Sequence, residues 1–316
     1  MRTIAMAVCV LAINVHAAPA TKHVTAATAL AAVDGQRYHY TIGVRVRPLL
    51  FWIGKDDVGD AVLAEKRDPE LVRYALLIGS DPDRAPRGIN RWGYLSEEIR
   101  GKEATLVGLM TESDEQSVDQ AEASLHTRAG DRTFNIIRAS IADGEARSVV
   151  TAVAAPSAYT FRNVDTLLGL ADRAGIEGTT RVAQVPAGAR PGFLVAFADL
   201  IHLQATDWRA SGRIQAIEPI VYVYHGKAYQ LRVTRARAAN QARVGGASYQ
   251  HVIASRFQVV SAKDGQATDF SITYAADGPL TETPLTATYQ PRWWIEIQLT
   301  LDDSKPGPVP VPESNP

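Results

Sequence analysis

The chain has 316 residues, and its 33 lysines and arginines against 34 aspartates and glutamates give a formal net charge of −1. Hydrophobic residues make up 46% of the chain and charged residues 21%, a composition that argues against a disordered protein because it supplies ample apolar material for a core. The even charge balance argues against a protein that binds nucleic acid through bulk positive charge. We therefore expect no nucleic acid among its partners.

Residues 1–17 have the pattern of a secretory signal peptide. Arg2 precedes an apolar run at residues 4–15, which is too short for a membrane-spanning helix of about 20 apolar residues. We predict cleavage after Ala17, with cleavage after Ala20 and an uncleaved, buried N-terminal helix as the alternatives. The protein is thus expected to be exported, either periplasmic or secreted. No later stretch is apolar and long enough to span a membrane as a helix, so none is predicted in the mature chain.

The only cysteine, Cys9, lies inside the predicted signal peptide. The mature chain would then hold no thiol, which excludes disulfides, cysteine nucleophiles, iron–sulfur clusters and cysteine-based zinc sites. The remaining histidines are too widely spaced in sequence to form a local metal-binding pair. We predict neither a metal nor a cofactor.

A β-rich part is predicted over residues 37–155, after a poorly ordered arm at residues 18–36 that is rich in Ala and Thr. Apolar and polar residues alternate from Tyr38 to Arg47, which is typical of a half-buried strand. Pro48 interrupts this alternation and indicates an edge or a bulge.

The rest of this part alternates between predicted strands and turns. An apolar stretch at residues 49–53 leads into a predicted loop at residues 54–60, and a proline-containing loop is predicted at residues 81–88. A surface helix is predicted at residues 113–128, where Ser113 begins a capping box. The further predicted strands are residues 62–65, 72–79, 91–99, 105–111, 134–141 and 146–154, the last two joined by an Asp143-Gly144 hairpin turn.

The central segment, residues 156–217, is predicted to contain two helices. Asn163 can cap the first helix, and Gly175 can end it. Pro191 suits the first turn of the second helix, which we expect to run to about Ala210. One face of this helix collects its large apolar residues, namely Phe193, Phe197, Leu200, Ile201 and Trp208, together with Gln204.

A second β-rich part is predicted over residues 218–302, with a hairpin turn at Asp264-Gly265. Its predicted strands are residues 220–224, 228–233, 252–261, 269–274, 286–290 and 293–301. Residues 303–316 form a proline-rich tail that we expect to be disordered or in the polyproline II conformation. The fold class predicted is α+β, a predominantly antiparallel sheet with a central two-helix segment packed on it.

The motifs of serine hydrolases, zinc metalloproteases and phosphate-binding loops are absent from the sequence. Catalytic groups can also come from scattered positions, so a hydrolase that uses scattered carboxylates or His225 as a base is an alternative. Asp56, Asp57 and Asp60 lack the spacing of a calcium-binding loop, and we interpret them as turn residues. No catalytic residue is predicted.

Two clusters of arginines are candidates for anion contacts or ring stacking. Arg84, Arg87 and Arg91 precede Trp92 and Tyr94 and are the predicted anion contacts. The alternative for both clusters is a charged strand surface that keeps sheet edges from associating. The second cluster comprises Arg232, Arg235, Arg237 and Arg243.

Pairs of large aromatic residues fall at successive or nearly successive strand positions, so they are expected on both faces of a sheet. One face can be core, and rings on the other can line a site for an apolar ligand. The alternative is that all of them pack against the central helices. The candidate ligand-binding residues are Trp52, Trp92, Tyr94, Phe197, Trp208, Trp293 and Trp294.

Residues 51–59, together with the segment from Pro291 to Asp302, resemble a family of exported bacterial proteins that has no assigned activity. The resemblance implies an exported protein and carries no catalytic residues to transfer. The C-terminal β-rich part is also similar, more distantly and in architecture only, to the half-barrels that hold lipid or lipoprotein in the bacterial envelope.

These observations predict an exported, non-enzymatic protein that binds an apolar ligand or an envelope partner. The expected partner is a lipid or another apolar molecule, or an envelope protein. Two alternatives stay open. One is the hydrolase without a recognisable motif, and the other is a structural envelope factor whose proline-rich tail docks a partner.

Overall fold

The structure is a computed structural model, and it describes residue 30 and residues 35–47, 52–111, 131–173 and 179–302. The predicted signal peptide, the helix predicted at residues 113–128 and the proline-rich tail lie outside the described residues.

The described strands form one continuous antiparallel sheet. Its fourteen strands within these residues are β1 (Gln36–Val46), β2 (Ile53–Arg67), β3 (Val72–Ser80), β4 (Trp92–Arg100), β5 (Glu103–Thr111), β6 (Asp131–Ala142), β7 (Glu145–Pro156), β8 (Thr179–Gln184), β9 (Ile220–Tyr224), β10 (Lys227–Val244), β11 (Ala247–Ser261), β12 (Ala267–Ala275), β13 (Pro284–Arg292) and β14 (Ile295–Leu301). The chain moves outward strand by strand from β1 to β8, crosses to the far end of the sheet at β9, and returns to β14, which pairs with β1. The antiparallel sheet was predicted correctly, but the fold is nearly all sheet rather than clearly α+β.

Helix α1 (Val164–Arg173) covers one face of the N-terminal strands. A single turn of 3₁₀ helix precedes it, in which Thr160 and Asn163 cap each other reciprocally, so Thr160 takes the capping position predicted for Asn163. Beneath α1 the buried residues of β2 to β7 form one cluster, which also takes in Leu30 from the predicted arm.

Helix α2 (Phe193–Ser211) lies on the opposite face, since Tyr94 packs beneath α1 whereas the next residue, Leu95, packs against α2. Leu194 and Ala198 of α2 contact this N-terminal half of the sheet. Leu200 and its neighbours pack on β9 to β12 of the C-terminal half, so α2 is buried on more than the single face predicted. The predicted end is confirmed, because Gly212 stops the helix in the left-handed conformation (φ 68°).

The two ends of the strand order meet next to α2. The N–H group of Arg190, which follows β8, donates to the carbonyl oxygen of Val221 on β9 (2.8 Å), and the N–H group of Val223 donates back to the carbonyl oxygen of Arg190 (2.9 Å). Val223 packs against Leu106 and Ile141 of the other half. The sheet is therefore curved, so that its two ends, at β8 and β9, are in contact.

Strand β2 corrects the loop predicted at residues 54–60. Gly54 and Lys55 pair with β1, and Gly59 and Asp60 pair with both β1 and β3, despite the glycines and aspartates of this segment. The pairing shifts register beside Ile42, and Asp57 takes a left-handed conformation (φ 56°) opposite this irregularity. Gly59 is required there, because a Cβ would collide with the carbonyl oxygen of Gly79.

Several other boundaries differ from prediction. The Asp143-Gly144 and Asp264-Gly265 turns are confirmed, whereas β8 was not predicted and β10 and β11 extend well beyond their predicted strands. The turn between β10 and β11 at Gly245-Gly246 uses two left-handed glycines. Trp293 and Trp294 lie in a turn rather than in the strand predicted at residues 293–301.

A buried carboxylate fixes the start of α2. Glu97 of β4 is 1% exposed, and its two carboxylate oxygens accept hydrogen bonds from the N–H groups of Leu194 (2.9 Å) and Val195 (3.0 Å). Burial raises the pKa of Glu97 to about 7, against the opposing effect of these hydrogen bonds. A Cβ on Gly192 would collide with this carboxylate, so the close approach requires glycine.

A second buried contact holds the middle of α2. The side-chain oxygen of Gln204 accepts hydrogen bonds from the hydroxyl groups of Ser255 (3.0 Å) and Tyr274 (2.8 Å) on β11 and β12. The helix is thus tied by polar contacts to both halves of the sheet.

Glu97→Ala is expected to lower the free energy of unfolding by roughly 1–3 kcal/mol, because it leaves buried N–H groups of α2 without acceptors. Glu98→Ala is the matched control. The Glu98 carboxylate is paired at the surface with Arg73 (2.7 Å) and Arg100 (2.8 Å), and its removal should cost under about 1 kcal/mol. Urea unfolding of both variants measures the difference. Equal losses would show that Glu97 has no special role.

The pH dependence of stability offers a second test. The pKa of Glu97 is raised in the fold from 4.5 to about 7, so its stabilising contribution is complete below about pH 4.5 and is lost as the pH rises through 7. Burial lowers the pKa of His225 from 6.5 to about 4, so its contribution is present above 6.5 and is lost as the pH falls. The two dependences oppose each other between about pH 4.5 and 6.5.

Relative to the wild type, Glu97→Gln should therefore become progressively more stable as the pH rises through this window, and His225→Asn progressively less stable. The measurement is the urea midpoint of each variant across the window. A Glu97→Gln difference that stays constant with pH would contradict the buried, titrating carboxylate.

Candidate functional site

Two of the seven candidate rings belong to the core beneath α1. Trp92 is 1% exposed, and its ring lies 5.5 Å from that of Phe134 between centroids. Tyr94 is buried in the same cluster. These two rings pack on the α1 face of the sheet.

Two further candidates belong to α2, on the opposite face. The ring of Phe197 meets that of Phe257 edge-on (5.2 Å between centroids) and lies 6.0 Å from that of Phe270, and Trp208 lies 5.3 Å from the ring of His251. They fill the space between α2 and the C-terminal strands. The seven candidates therefore do not converge on one site.

The remaining three candidates lie at one end of the sheet, although 241 positions separate Trp52 from Trp293 in sequence. Val46 of β1 pairs with Ile53 on one side and with Ile295 on the other, so Trp52 and the turn at Trp293 and Trp294 lie at the same end of the sheet, on either side of β1. The N–H group of Arg47 donates to the carbonyl oxygen of Trp294 (2.7 Å). We call Trp52, Ile53, Trp293 and Trp294 the aromatic end.

The aromatic end is exposed. Trp52 is 40% exposed, Ile53 56% and Trp293 67%, whereas Trp294 is partly buried against the β1–β14 cluster. These are three of the five large apolar residues that are exposed in the described chain, the others being Leu203 and Val182. Apolar side chains of this size, grouped at one place on a surface, are typical of a binding site.

The conformation of the turn at Trp293 and Trp294 does not explain why tryptophan occupies it. Turns of two residues between antiparallel strands favour Asn, Asp and Gly, which reach left-handed conformations without strain. Here the pairing of β13 with β14 ends at Arg292 and Ile295, and two tryptophans occupy the turn. Because neither turn chemistry nor burial requires Trp293, its exposure indicates a role outside the fold.

Charged groups flank the aromatic end. The guanidinium of Arg45 forms a solvent-accessible ion pair with the carboxylate of Glu296 (3.7 Å). A pocket of about 260 Å³ is lined by these two residues together with Trp52 and Gly54. Arg292, next to Trp293, is exposed. The rings therefore lie beside arginine side chains rather than in an entirely apolar surround.

The predicted anion contacts lie in the loop that follows β3. The guanidinium of Arg84 pairs with Asp57, Asp60 and Asp81 of the same molecule, so these aspartates partner an arginine instead of lining an open site. Arg91 is buried, and Arg87 is exposed in a left-handed conformation (φ 55°). The three do not present a shared anion-binding surface, and as a ligand site they stay a prediction.

His225, the candidate base, lies between the two ends of the sheet. Its Nδ1 is 3.4 Å from the hydroxyl oxygen of Ser148, a long contact, and Ser148 is fully buried. Burial and the nearby Arg181 and Lys227 lower its pKa to about 4, so the imidazole is neutral at pH 7. His225 and Ser148 thus form a packing contact between the β9–β10 turn and β7.

Within the described ranges, no three His, Cys, Asp or Glu side chains come together as metal ligands. None of the helices in this part of the chain combines the length and the apolar composition needed to cross a membrane.

No protein family description and no curated protein sequence matches this chain. Two crystal structures align with it. One is a candidate lipoprotein from Parabacteroides distasonis, at 7% identity and a TM-score of 0.27, covering 85% of this chain and 94% of that one. The other is the hypothetical lipoprotein YmcC from Escherichia coli, at 10% identity and a TM-score of 0.23, covering 90% of each chain. Both TM-scores lie below 0.5, so neither alignment supports a statement about function.

The exposed and buried tryptophans should differ sharply in their contribution to stability. Trp52→Ser and Trp293→Ser should each change the free energy of unfolding by under about 0.5 kcal/mol, because their rings contribute little to the core. Trp92→Ala should cost roughly 3–5 kcal/mol. Urea unfolding of the three variants provides the comparison, and a loss for Trp293→Ser as large as that for Trp92→Ala would place Trp293 in the core.

Proposed function

We propose that this chain is an exported, non-enzymatic envelope protein that binds an apolar partner through its aromatic end. The observation that carries the proposal is the exposure of Trp52, Ile53 and Trp293 at one end of the sheet, whereas the other Trp and Phe rings of the described residues are buried or partly buried. An exposed tryptophan keeps a large apolar area in water, and covering that area contributes roughly 25 cal/mol for each Å² removed from water. Tryptophan is also the residue type most enriched among side chains that dominate binding energy.

The space between the sheet and each helix is filled by side chains, which favours a binding site at the surface. The face beneath α2 is filled by the stacked rings of Phe257 and Phe270 with Phe197 packed edge-on against Phe257, and the face beneath α1 is filled around Trp92. An apolar ligand held between helix and sheet would have to displace these contacts. The aromatic end needs no such rearrangement.

The alternatives receive less support from the described residues. A hydrolase that used His225 as its base would need an accessible nucleophile, whereas the hydroxyl group nearest its ring belongs to the fully buried Ser148. A docking role for the proline-rich tail stays a prediction, because the tail lies outside the described residues.

Binding of an apolar fluorescent probe, 1-anilinonaphthalene-8-sulfonate, tests the proposal on the folded exported chain. The double variant Trp52→Ser, Trp293→Ser should bind the probe at least about tenfold more weakly than the wild type, because both exposed rings are removed. Leu203→Ser is the matched control, since Leu203 is equally exposed (46%) but lies on α2, and it should bind as the wild type does.

Equal probe binding by the wild type and the double variant, with both folded by circular dichroism, would refute the proposal. Native mass spectrometry of the chain purified from the export compartment without detergent would then show whether an apolar molecule is carried elsewhere.

A further inference from the structure

We infer that the partner of the aromatic end is the surface of a lipid bilayer that carries anionic headgroups. This inference rests on the proposed function and names the partner of the same site.

The shape fits a flat partner better than a small molecule. A site for a small apolar ligand encloses most of the ligand surface. The aromatic end instead places its most exposed ring, Trp293, in the turn between two strands, and the adjoining pocket of about 260 Å³ is bordered by the charged side chains of Arg45 and Glu296. Side chains at strand ends can enter a bilayer surface without an enclosing wall.

The residue types are those of a membrane interface. Tryptophan has an apolar ring with a polar N–H group and is enriched at the level of the lipid headgroups. Ile53 adds a purely apolar side chain at the same end.

The charges complement an anionic surface. Arg45 on β1 and Arg292 on β13 lie close in sequence and pairing to the rings and are exposed, and Arg45 also pairs with Glu296. Arg47, directly after β1, is partly buried, and its Nε is enclosed in the protein. Arginine guanidinium groups bind phosphate in a bidentate manner. When the rings enter the headgroup region, Arg45 and Arg292 would lie at the level of the lipid phosphates.

The same charges argue against a second copy of the chain as the occupant. In a two-fold dimer the patch would meet a second copy of itself, which brings at least as many additional arginines as carboxylates and no excess of negative charge. An anionic bilayer offers the opposite charge. The chain as a whole has a formal net charge of −1, so the positive charge behind the rings is a local feature.

Co-flotation of the exported chain with phosphatidylcholine vesicles, with and without phosphatidylglycerol, tests the inference. The wild type should bind the vesicles that contain phosphatidylglycerol more tightly, and added salt should weaken this preference. Trp52→Ser, Trp293→Ser should lose at least about tenfold in binding to both kinds of vesicle, whereas Leu203→Ser should bind as the wild type does. Arg45→Gln, Arg292→Gln should lose roughly fivefold for each arginine on the anionic vesicles only.

Vesicle flotation and probe binding together distinguish a failure of the bilayer inference from a failure of the proposed function. If the wild type binds the apolar probe through Trp52 and Trp293 but does not float with either kind of vesicle, the bilayer is the wrong partner and the proposed function stands. Self-association in sedimentation equilibrium that Trp293→Ser abolishes, without vesicle binding, would favour a second copy instead. Vesicle binding that the tryptophan substitutions leave unchanged would overturn the inference directly.

Discussion

The arrangement of this molecule depends on the hydrogen bonds that the Glu97 carboxylate of β4 accepts from the first turn of α2. A buried carboxylate is costly unless its oxygens are hydrogen-bonded, and here the acceptable partners are the N–H groups at the start of a helix. That requirement fixes where α2 begins relative to β4, and Gly192 allows the close approach. Because α2 lies in the only stretch of chain that connects β8 to β9, fixing α2 also fixes where the two ends of the sheet meet. Gln204 then holds the body of the helix on the other half.

The position of α2 determines which rings are available for binding. With α1 on one face and α2 on the other, tryptophans and phenylalanines on the strands are covered wherever a helix lies above them. The strand ends where β1, β2, β13 and β14 meet leave Trp52 and Trp293 exposed. The pairing of β1 with β14 joins the first and last described strands in sequence order and so brings these two distant residues to the same end of the sheet. The fold thereby provides a rigid support for an exposed aromatic surface.

Much of the sheet could be predicted because its signals are local. The alternation of apolar and polar residues from Tyr38 predicts a strand, and the Asp-Gly turns predict hairpins. The apolar residues of α2 recur at helical spacing, which predicts its buried face. The start of β2 was missed because the glycines and aspartates of residues 54–60 are typical of loops, and they are part of a strand only through pairing with β1 and, from Gly59, with β3. Glu97 has no local signature, since its partners lie nearly a hundred residues away. The aromatic residues could be recognised as candidates, but their sorting into core and surface depends on strand register and helix position, which the local pattern does not determine.

The most direct test of this account is hydrogen–deuterium exchange of the exported chain with and without vesicles of phosphatidylcholine and phosphatidylglycerol. If the aromatic end is the binding surface on a rigid support, exchange should slow at residues 44–47, 52–57 and 290–297, while the amides of α2 keep their exchange rates. Changed exchange in α2, with the strand ends unaffected, would contradict the account, because it would mean that the ligand enters between the helix and the sheet.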